Sequence, residues 1–257
     1  MLFTRRSCRT VLASFALMSV SASFAETPLV AWGDSLTAGA GGTPWTTQFE
    51  ALSGVQTFTF GFGGESSTQI RNHMLADTAH VDDFAVFWVG RNNYNQTDII
   101  IADIAAMQGH LSTSNFLVLG VTNGDYGGYE IPGGEGWTFI TQLNSRLGAL
   151  YGPKFIDVRA DLIAHFDPTQ RQDLIDFNND TVPTSLRADT GHLNTRGYGV
   201  VAQSVYARYA ATAVPEADHA AMLLAGLAVI GAFARRRAAA AEGFIQQVAA
   251  AGRPSGR

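Results

Sequence analysis

The feature that most constrains the fold of this 257-residue chain is an alternation of short apolar stretches with longer segments of helical character. The stretch 84–89 (F-A-V-F-W-V) is almost continuously apolar, as is typical of a strand buried on both faces of a sheet. We predict strands at 29–31, 57–61, 84–89, 116–121 and 154–158, and helices at 45–52, 66–76, 98–111, 137–151 and 194–211. This order predicts an α/β fold with three α/β/α layers around a central parallel sheet of about five strands.

Two stretches interrupt the alternation. Residues 123–136 are rich in glycine and contain Tyr126, Tyr129 and Glu130, whereas residues 164–189 form a long, mostly polar connection. Long connections within compact domains are often functional. The first stretch is equally consistent with an acidic surface loop and with a lid that contacts a substrate.

The N-terminal end of the chain does not resemble the rest. Arginines at 5, 6 and 9 precede an apolar run at 11–20, and S-F-A at 23–25 resembles a signal-peptidase site. Residues 1–25 are therefore predicted to be a secretory signal peptide, because the apolar run is short for a retained anchor. Since the single cysteine, Cys8, lies in this segment, the predicted folded domain at 26–213 has no disulfide and no thiol nucleophile.

Beyond that domain, residues 220–233 are apolar and are followed by three arginines at 235–237. The run is marginally short for a transmembrane helix, and an amphipathic or core helix is the alternative. The abrupt arginine cluster favours a stop at a membrane face. Residues 238–257 form a tail rich in alanine and glycine.

Composition and histidine spacing exclude several functions. The net charge is −5, which argues against a nucleic-acid partner. The histidines outside the stretch 189–192 are His73, His80, His110, His165 and His219. They are scattered and lack metal-ligand spacing, so no metal or cofactor is predicted.

Polar residues with catalytic potential follow the first strand and precede the last helix. Residues 33–37 are G-D-S-L-T, so Ser35 is expected at the carboxyl edge of the sheet, where ligands bind in open α/β folds. Residues 189–192 (D-T-G-H) supply Asp189 and His192. Histidine is the usual general base for a serine nucleophile, and a carboxylate on its other nitrogen orients it.

Two further stretches are expected at the same edge. Residues 61–66 (G-F-G-G-E-S) follow the second strand, and residues 90–93 (G-R-N-N) follow the third. Each alone is an ordinary turn signal. Together they predict an oxyanion hole formed by the Ser35 N–H, the Gly64 N–H and the side-chain amide of Asn92.

In their order along the chain, these four blocks resemble those of the SGNH (GDSL-type) serine hydrolases. The resemblance covers residues 29–211 and implies the flavodoxin-like SGNH hydrolase fold. It also implies Ser35 as nucleophile, Gly64 and Asn92 as oxyanion donors, and His192 as base with Asp189 behind it. The third block ends in Asn93, where many members have aspartate. The G-x-S-x-G pattern of the α/β-hydrolases is absent around Ser35.

The C-terminal segment at 214–237 resembles a second known signal. Its V-P-E opening, apolar run and arginine cluster are similar to the PEP-CTERM sorting signal of Gram-negative bacteria, although Ala217 replaces the usual second proline. The resemblance implies processing by an exosortase-like enzyme. It also implies export to the periplasm, the cell surface or the extracellular matrix.

These observations predict an exported serine ester hydrolase of the esterase/lipase type, which cleaves carboxylic esters through an acyl-enzyme on Ser35. Its substrate would be a small-molecule or glycan ester, and it would meet a membrane only through its terminal segments. One alternative is a carbohydrate O-acetyl esterase acting on exopolysaccharide or cell-wall glycan, because Tyr126, Tyr129 and Trp137 suit sugars as well as an acyl group. A less favoured alternative is a surface or matrix protein that uses the fold only for binding.

Overall fold

The structure, a computed structural model, describes residues 27–213 and, beyond them, only Gly226, Ile230, Gly231 and Arg235. The predicted signal peptide at 1–25 lies outside the described residues. So do the predicted sorting or transmembrane segment at 214–237, apart from these four positions, and the tail at 238–257. Within the part that is described, no helix is both long and apolar enough to cross a membrane.

Five parallel strands form the central sheet in the order β2-β1-β3-β4-β5. They are β1 Leu29–Gly33, β2 Thr57–Gly61, β3 Phe84–Trp88, β4 Phe116–Leu119 and β5 Phe155–Ile156. Ala31 in β1 pairs with Thr59 on one side and with Val86 on the other. The strand order reverses between β1 and β3, and in open α/β sheets the crevice at such a reversal is where ligands bind.

Helices cover both faces of the sheet. In the described chain they are α1 Ser35–Ala38, α2 Trp45–Ser53, α3 Ser67–Ala76, α4 Thr97–His110, α5 Glu135–Tyr151, α6 Val158–Ala164, α7 Arg171–Asn178 and α8 Thr195–Ala213. Leu29 and Ala31 pack into one apolar cluster with α2, α6 and α8. Val30 and Trp32 pack into a second cluster with α3, α4 and α5. The predicted three-layer α/β fold is thus confirmed, and burial on both faces explains the continuously apolar strands.

The predicted strand at 154–158 is wrong at both ends. Only Phe155–Ile156 forms β5, whereas Gly152–Lys154 is a 3₁₀ turn. The side chain of Asp157 accepts a hydrogen bond from the Ala160 N–H at 3.0 Å and so caps α6, which begins at Val158.

The connection at 164–189 is not the plain polar loop that the sequence suggested, because it contains α7 and a 3₁₀ turn at Thr184–Leu186. The buried face of α7 carries two acids. Asp173 accepts from the Ser185 N–H at 3.0 Å, and Asp176 accepts from the Thr184 N–H at 2.6 Å. These carboxylates hold the segment that leads into residues 189–192.

The start of α8 is fastened to the loop that follows α1. Asn194 caps α8, since its Oδ1 accepts from the Gly197 N–H at 3.1 Å. The Tyr198 hydroxyl donates to the Ala40 carbonyl at 2.8 Å, and the Thr43 N–H donates to Thr195 Oγ1 at 3.0 Å. Residues that precede α8 therefore lie beside the carboxyl end of β1.

Candidate active site

Ser35 is the first residue of α1 and follows directly on β1. The Asp34 carboxylate caps this short helix by accepting from the Leu36 N–H at 3.0 Å. Gly33 has no room for a side chain, because a Cβ there would collide with the Thr37 side chain and the Trp88 carbonyl. The tight turn from strand to helix thus holds Ser35 at the carboxyl edge of the sheet, next to the reversal of strand order.

Ser35, His192 and Asp189 form a continuous chain of hydrogen bonds. Ser35 Oγ lies 3.0 Å from His192 Nε2, and His192 Nδ1 lies 2.8 Å from Asp189 Oδ2. A carboxylate only accepts, so the imidazole proton belongs on Nδ1 and leaves Nε2 free to accept the serine hydroxyl proton.

The second oxygen of Asp189 anchors the turn itself. Asp189 Oδ1 accepts from the N–H groups of Gly191 and His192, both at 2.8 Å. Partial burial raises the pKa of Asp189, but the hydrogen bonds from the His192 side chain and these two N–H groups outweigh it and hold the pKa below its ordinary value. The carboxylate therefore stays ionised opposite the imidazole at neutral pH.

The three predicted oxyanion donors differ in how the structure places them relative to the cavity that contains Ser35 and His192. The Ser35 N–H is at the first position of α1, where no intrahelical acceptor exists. Asn92 lines the same cavity as Ser35 and His192, and its amide donates one hydrogen bond to the Glu65 carbonyl at 2.9 Å. Gly64 has a φ of +79°; it lies in the adjoining turn and is not among the described residues that line the cavity. A Cβ on the neighbouring Gly63 would lie 4.0 Å from Ser35 Cβ.

A second carboxylate, that of Asp34, is buried beside the nucleophile. Its side chain is 1% exposed, and among the described residues its Oδ2 has no hydrogen-bond partner. Burial raises the pKa of Asp34 to about 6, against the lowering effects of the Leu36 N–H and the charges of Arg91 and His192. No local pattern in the sequence distinguishes this acid from an ordinary helix cap.

The site opens into a cavity of about 300 Å³. It is lined by polar, charged and tyrosine side chains together with one glycine: Ser35, Arg91, Asn92, Tyr94, Tyr126, Tyr129, Glu130, Gly191 and His192. Three of these residues come from the interrupting stretch 123–136. This stretch therefore forms one wall of the cavity.

An ion pair within the wall joins that stretch to the turn after β3. Arg91 Nη1 and Nη2 donate to the two oxygens of Glu130 at 2.9 and 3.0 Å, and both side chains are largely buried. The rings of Tyr94 and Tyr126 each lie 5.2 Å from the Arg91 guanidinium carbon. Burial lowers the pKa of Arg91, but the Glu130 carboxylate outweighs this and holds it above its ordinary value. Burial, with Glu130 nearby, raises the pKa of Tyr94 to about 12.

Sequence reasoning placed Arg91 and Glu130 in two different stretches and did not pair them, and it did not single out Tyr94. An arginine that closely follows a buried strand does indicate that a carboxylate lies nearby to pair with its charge. The stretch 123–136 offers Asp125, Glu130 and Glu135, however, and the sequence does not choose among them. For metals, the described residues contain no group of three or more His, Cys, Asp or Glu side chains able to hold an ion.

Among the comparisons with known proteins, only the comparison with solved structures finds similar proteins. No protein-family model matches the sequence, and no curated protein matches it. A member of the lipolytic protein G-D-S-L family from Veillonella parvula is 21% identical, with a TM-score of 0.52 over 69% of this chain and 94% of that one. A lipase/acylhydrolase from Enterococcus faecalis is 15% identical, with a TM-score of 0.54 over 70% and 93% of the two chains.

A catalytic mutant of an acetylxylan esterase from Geobacillus stearothermophilus is 12% identical, with a TM-score of 0.50 over 71% of this chain and 94% of that one. These three likenesses extend over nearly the whole of each solved chain. The chain therefore has the fold of G-D-S-L lipolytic proteins and of this acetylxylan esterase.

Proposed function

We propose that this protein is a serine ester hydrolase of the esterase/lipase type that works through an acyl-enzyme on Ser35. The observation that carries the proposal is the chain of hydrogen bonds from Ser35 Oγ to His192 Nε2 and from His192 Nδ1 to Asp189, with Ser35 and His192 in the lining of a cavity. A nucleophile, a base and an oriented carboxylate in this arrangement suit acyl transfer on any fold.

In the proposed reaction, Ser35 Oγ attacks the ester carbonyl carbon while His192 Nε2 takes the hydroxyl proton. The negative charge that develops on the carbonyl oxygen is stabilised by the Ser35 and Gly64 N–H groups and by the Asn92 amide. His192 then gives its proton to the leaving alcohol as the C–O bond breaks. A water molecule, deprotonated by His192, attacks the acyl-enzyme, and the carboxylic acid leaves as the proton returns to Ser35.

The test is hydrolysis of p-nitrophenyl acetate by the purified wild type and by Ser35→Ala. We expect Ser35→Ala to lose nearly all activity, and the exposed Ser145→Ala on α5 to keep it. A fluorophosphonate probe should label the wild type at Ser35 and leave Ser35→Ala unlabelled. Equal hydrolysis by Ser35→Ala and the wild type would refute the assignment. Failure of the folded wild type to react with the probe would instead favour a protein that only binds.

The cavity lining favours a second, narrower candidate function, that of a carbohydrate O-acetyl esterase. Among the described residues that line the cavity, none has an aliphatic side chain to bury a long acyl chain. Tyr126 and Tyr129, which are 46% and 42% exposed, instead offer ring faces to the C–H groups of a sugar. The fold shared with an acetylxylan esterase is consistent with this candidate.

A series of p-nitrophenyl esters and an acetylated oligosaccharide separate the two candidates. The narrower one requires acetate release from the oligosaccharide and a steep loss of rate beyond short acyl chains. Tyr129→Ala should then raise KM for the oligosaccharide and leave hydrolysis of p-nitrophenyl acetate nearly unchanged. Rates that rise with acyl chain length would favour a lipase.

We further propose export through the signal at 1–25 and sorting at the envelope through the segment at 214–237, with membrane contact limited to these terminal segments. The support is the sequence of those two segments. Fractionation of cells that express the full chain, with N-terminal sequencing of the product, tests this. A product that keeps residues 1–25 and stays in the cytoplasm would contradict it.

A further inference from the structure

The two loops that carry the outer oxyanion donors are tied directly to each other. Besides the bond from Asn92 to the Glu65 carbonyl, Asn93 pairs with Ser67 at the start of α3. Asn93 Oδ1 accepts from the Ser67 N–H at 3.1 Å, and Asn93 Nδ2 donates to Ser67 Oγ at 3.1 Å. Both residues are buried, so this pair fixes the distance between the loop with Gly64 and the loop with Asn92.

A buried carboxylate of α4, that of Asp103, binds the hydroxyl of the Ser67 member of this pair. Asp103 is 1% exposed, and its Oδ2 accepts from Ser67 Oγ at 2.6 Å and from Thr68 Oγ1 at 2.7 Å. Its Oδ1 accepts from Arg71 Nη1 at 2.6 Å, which compensates the buried charge. Asp103 is not among the described residues that line the cavity, so it does not touch a substrate there.

The chemistry of a hydroxyl makes this contact directional. The Ser67 hydroxyl has one proton and donates it in the hydrogen bond to Asp103 Oδ2, so the lone pairs of Ser67 Oγ remain to accept from the Asn93 amide. Without Asp103 the hydroxyl is free to turn and to donate to Asn93 Oδ1, where it competes with the Ser67 N–H. The amide of Asn93 would then rotate or shift, and the adjacent Asn92 would move with its loop.

From this geometry we propose that Asp103 is a positioning residue for the oxyanion hole, acting through Ser67 and Asn93 on the adjacent Asn92. The inference rests on the proposed hydrolase function. Oxyanion donors act on charge that develops in the transition state, so their displacement lowers kcat and leaves KM nearly unchanged. A shift of a few tenths of an ångström predicts a loss of about 10-fold in kcat.

The test measures kcat and KM for p-nitrophenyl acetate with Asp103→Asn and with Ser67→Ala, well below each variant's melting temperature. Asp98→Asn is the matched control, because it removes an exposed carboxylate from the same helix. We expect both test variants to lose about 10-fold in kcat, and the control to match the wild type. A wild-type kcat in either folded test variant, or a change confined to KM, would overturn the proposal. If Asp103→Asn does not fold, Ser67→Ala decides.

A double-mutant cycle with Asn92→Ala separates positioning from plain loss of stability. If Asp103 acts through Asn92, then Asp103→Asn should change kcat less than about 3-fold once Asn92 is alanine. Losses that multiply in the double variant would overturn the proposal. Failure of the hydrolase function itself is recognised separately, since the wild type would then show no activity that depends on Ser35.

Discussion

Replacing Asp34 by asparagine is expected to change how the stability of the protein depends on pH. Burial raises the pKa of this carboxyl from its ordinary value of 3.8 to about 6, so the folded protein holds a proton there that the unfolded chain releases. Between about pH 4 and pH 6 the folded state binds more protons, and its stability falls as the pH rises. A difference of about two pKa units corresponds to about 3 kcal/mol of unfolding free energy, and this contribution is lost by pH 7.

The amide side chain introduced by Asp34→Asn does not ionise, so the variant lacks this loss. The free energy of unfolding of the variant, minus that of the wild type, should therefore rise by about 2 kcal/mol from pH 4 to pH 7. Any pH-independent effect of the amide shifts this difference by the same amount at every pH. Urea unfolding at several pH values, monitored by tryptophan fluorescence, measures this difference. A flat or falling difference for Asp34→Asn would refute the reasoning. Repeating the comparison of Asp34→Asn with its parent in a His192→Ala background removes the influence of the neighbouring imidazole on the pKa of Asp34.

Three other substitutions test separate parts of the site. Asn92→Ala should lower kcat by about 10²- to 10³-fold with little change in KM, because its amide acts on the transition state; an unchanged kcat in steady-state kinetics would contradict this. Glu130→Gln leaves Arg91 buried without its carboxylate and should cost about 3 kcal/mol of unfolding free energy, whereas the exposed Glu135→Gln should cost little in the same urea titration. Gly33→Ala should lower the melting temperature markedly because its Cβ has no space, and a wild-type melting curve would count against that packing.

The central sheet was predictable because burial on both faces leaves a simple mark on the sequence. β3 is a continuous apolar run, and its position agrees with the prediction to within one residue. The helix α7 was missed for the opposite reason. Its buried residues include Asp173 and Asp176, which bond backbone N–H groups of the following segment. A helix that buries acids shows no apolar repeat of period 3.6, so its sequence resembles a loop.

The candidate site, like the fold, was predictable from the sequence only in part. Ser35, Asn92, Asp189 and His192 were predicted to meet because the carboxyl ends of parallel strands share one edge, and the structure brings them together there. The pairing of Arg91 with Glu130 depends on how a glycine-rich loop folds back on that edge. Such a path is set by tertiary contacts that leave no local pattern.

The fastening of α8 to the loop after α1 has a consequence for how the protein acquires activity. Ser35 and His192 are separated by 157 positions in the chain, and they meet only when the start of α8 has docked on the loop after α1. Closing a contact of such long sequence separation costs more chain entropy than closing a local one, so we expect it to form after the local helical contacts. In a refolding experiment, esterase activity should therefore appear after the bulk of the helical signal, and it would report on completion of the whole domain.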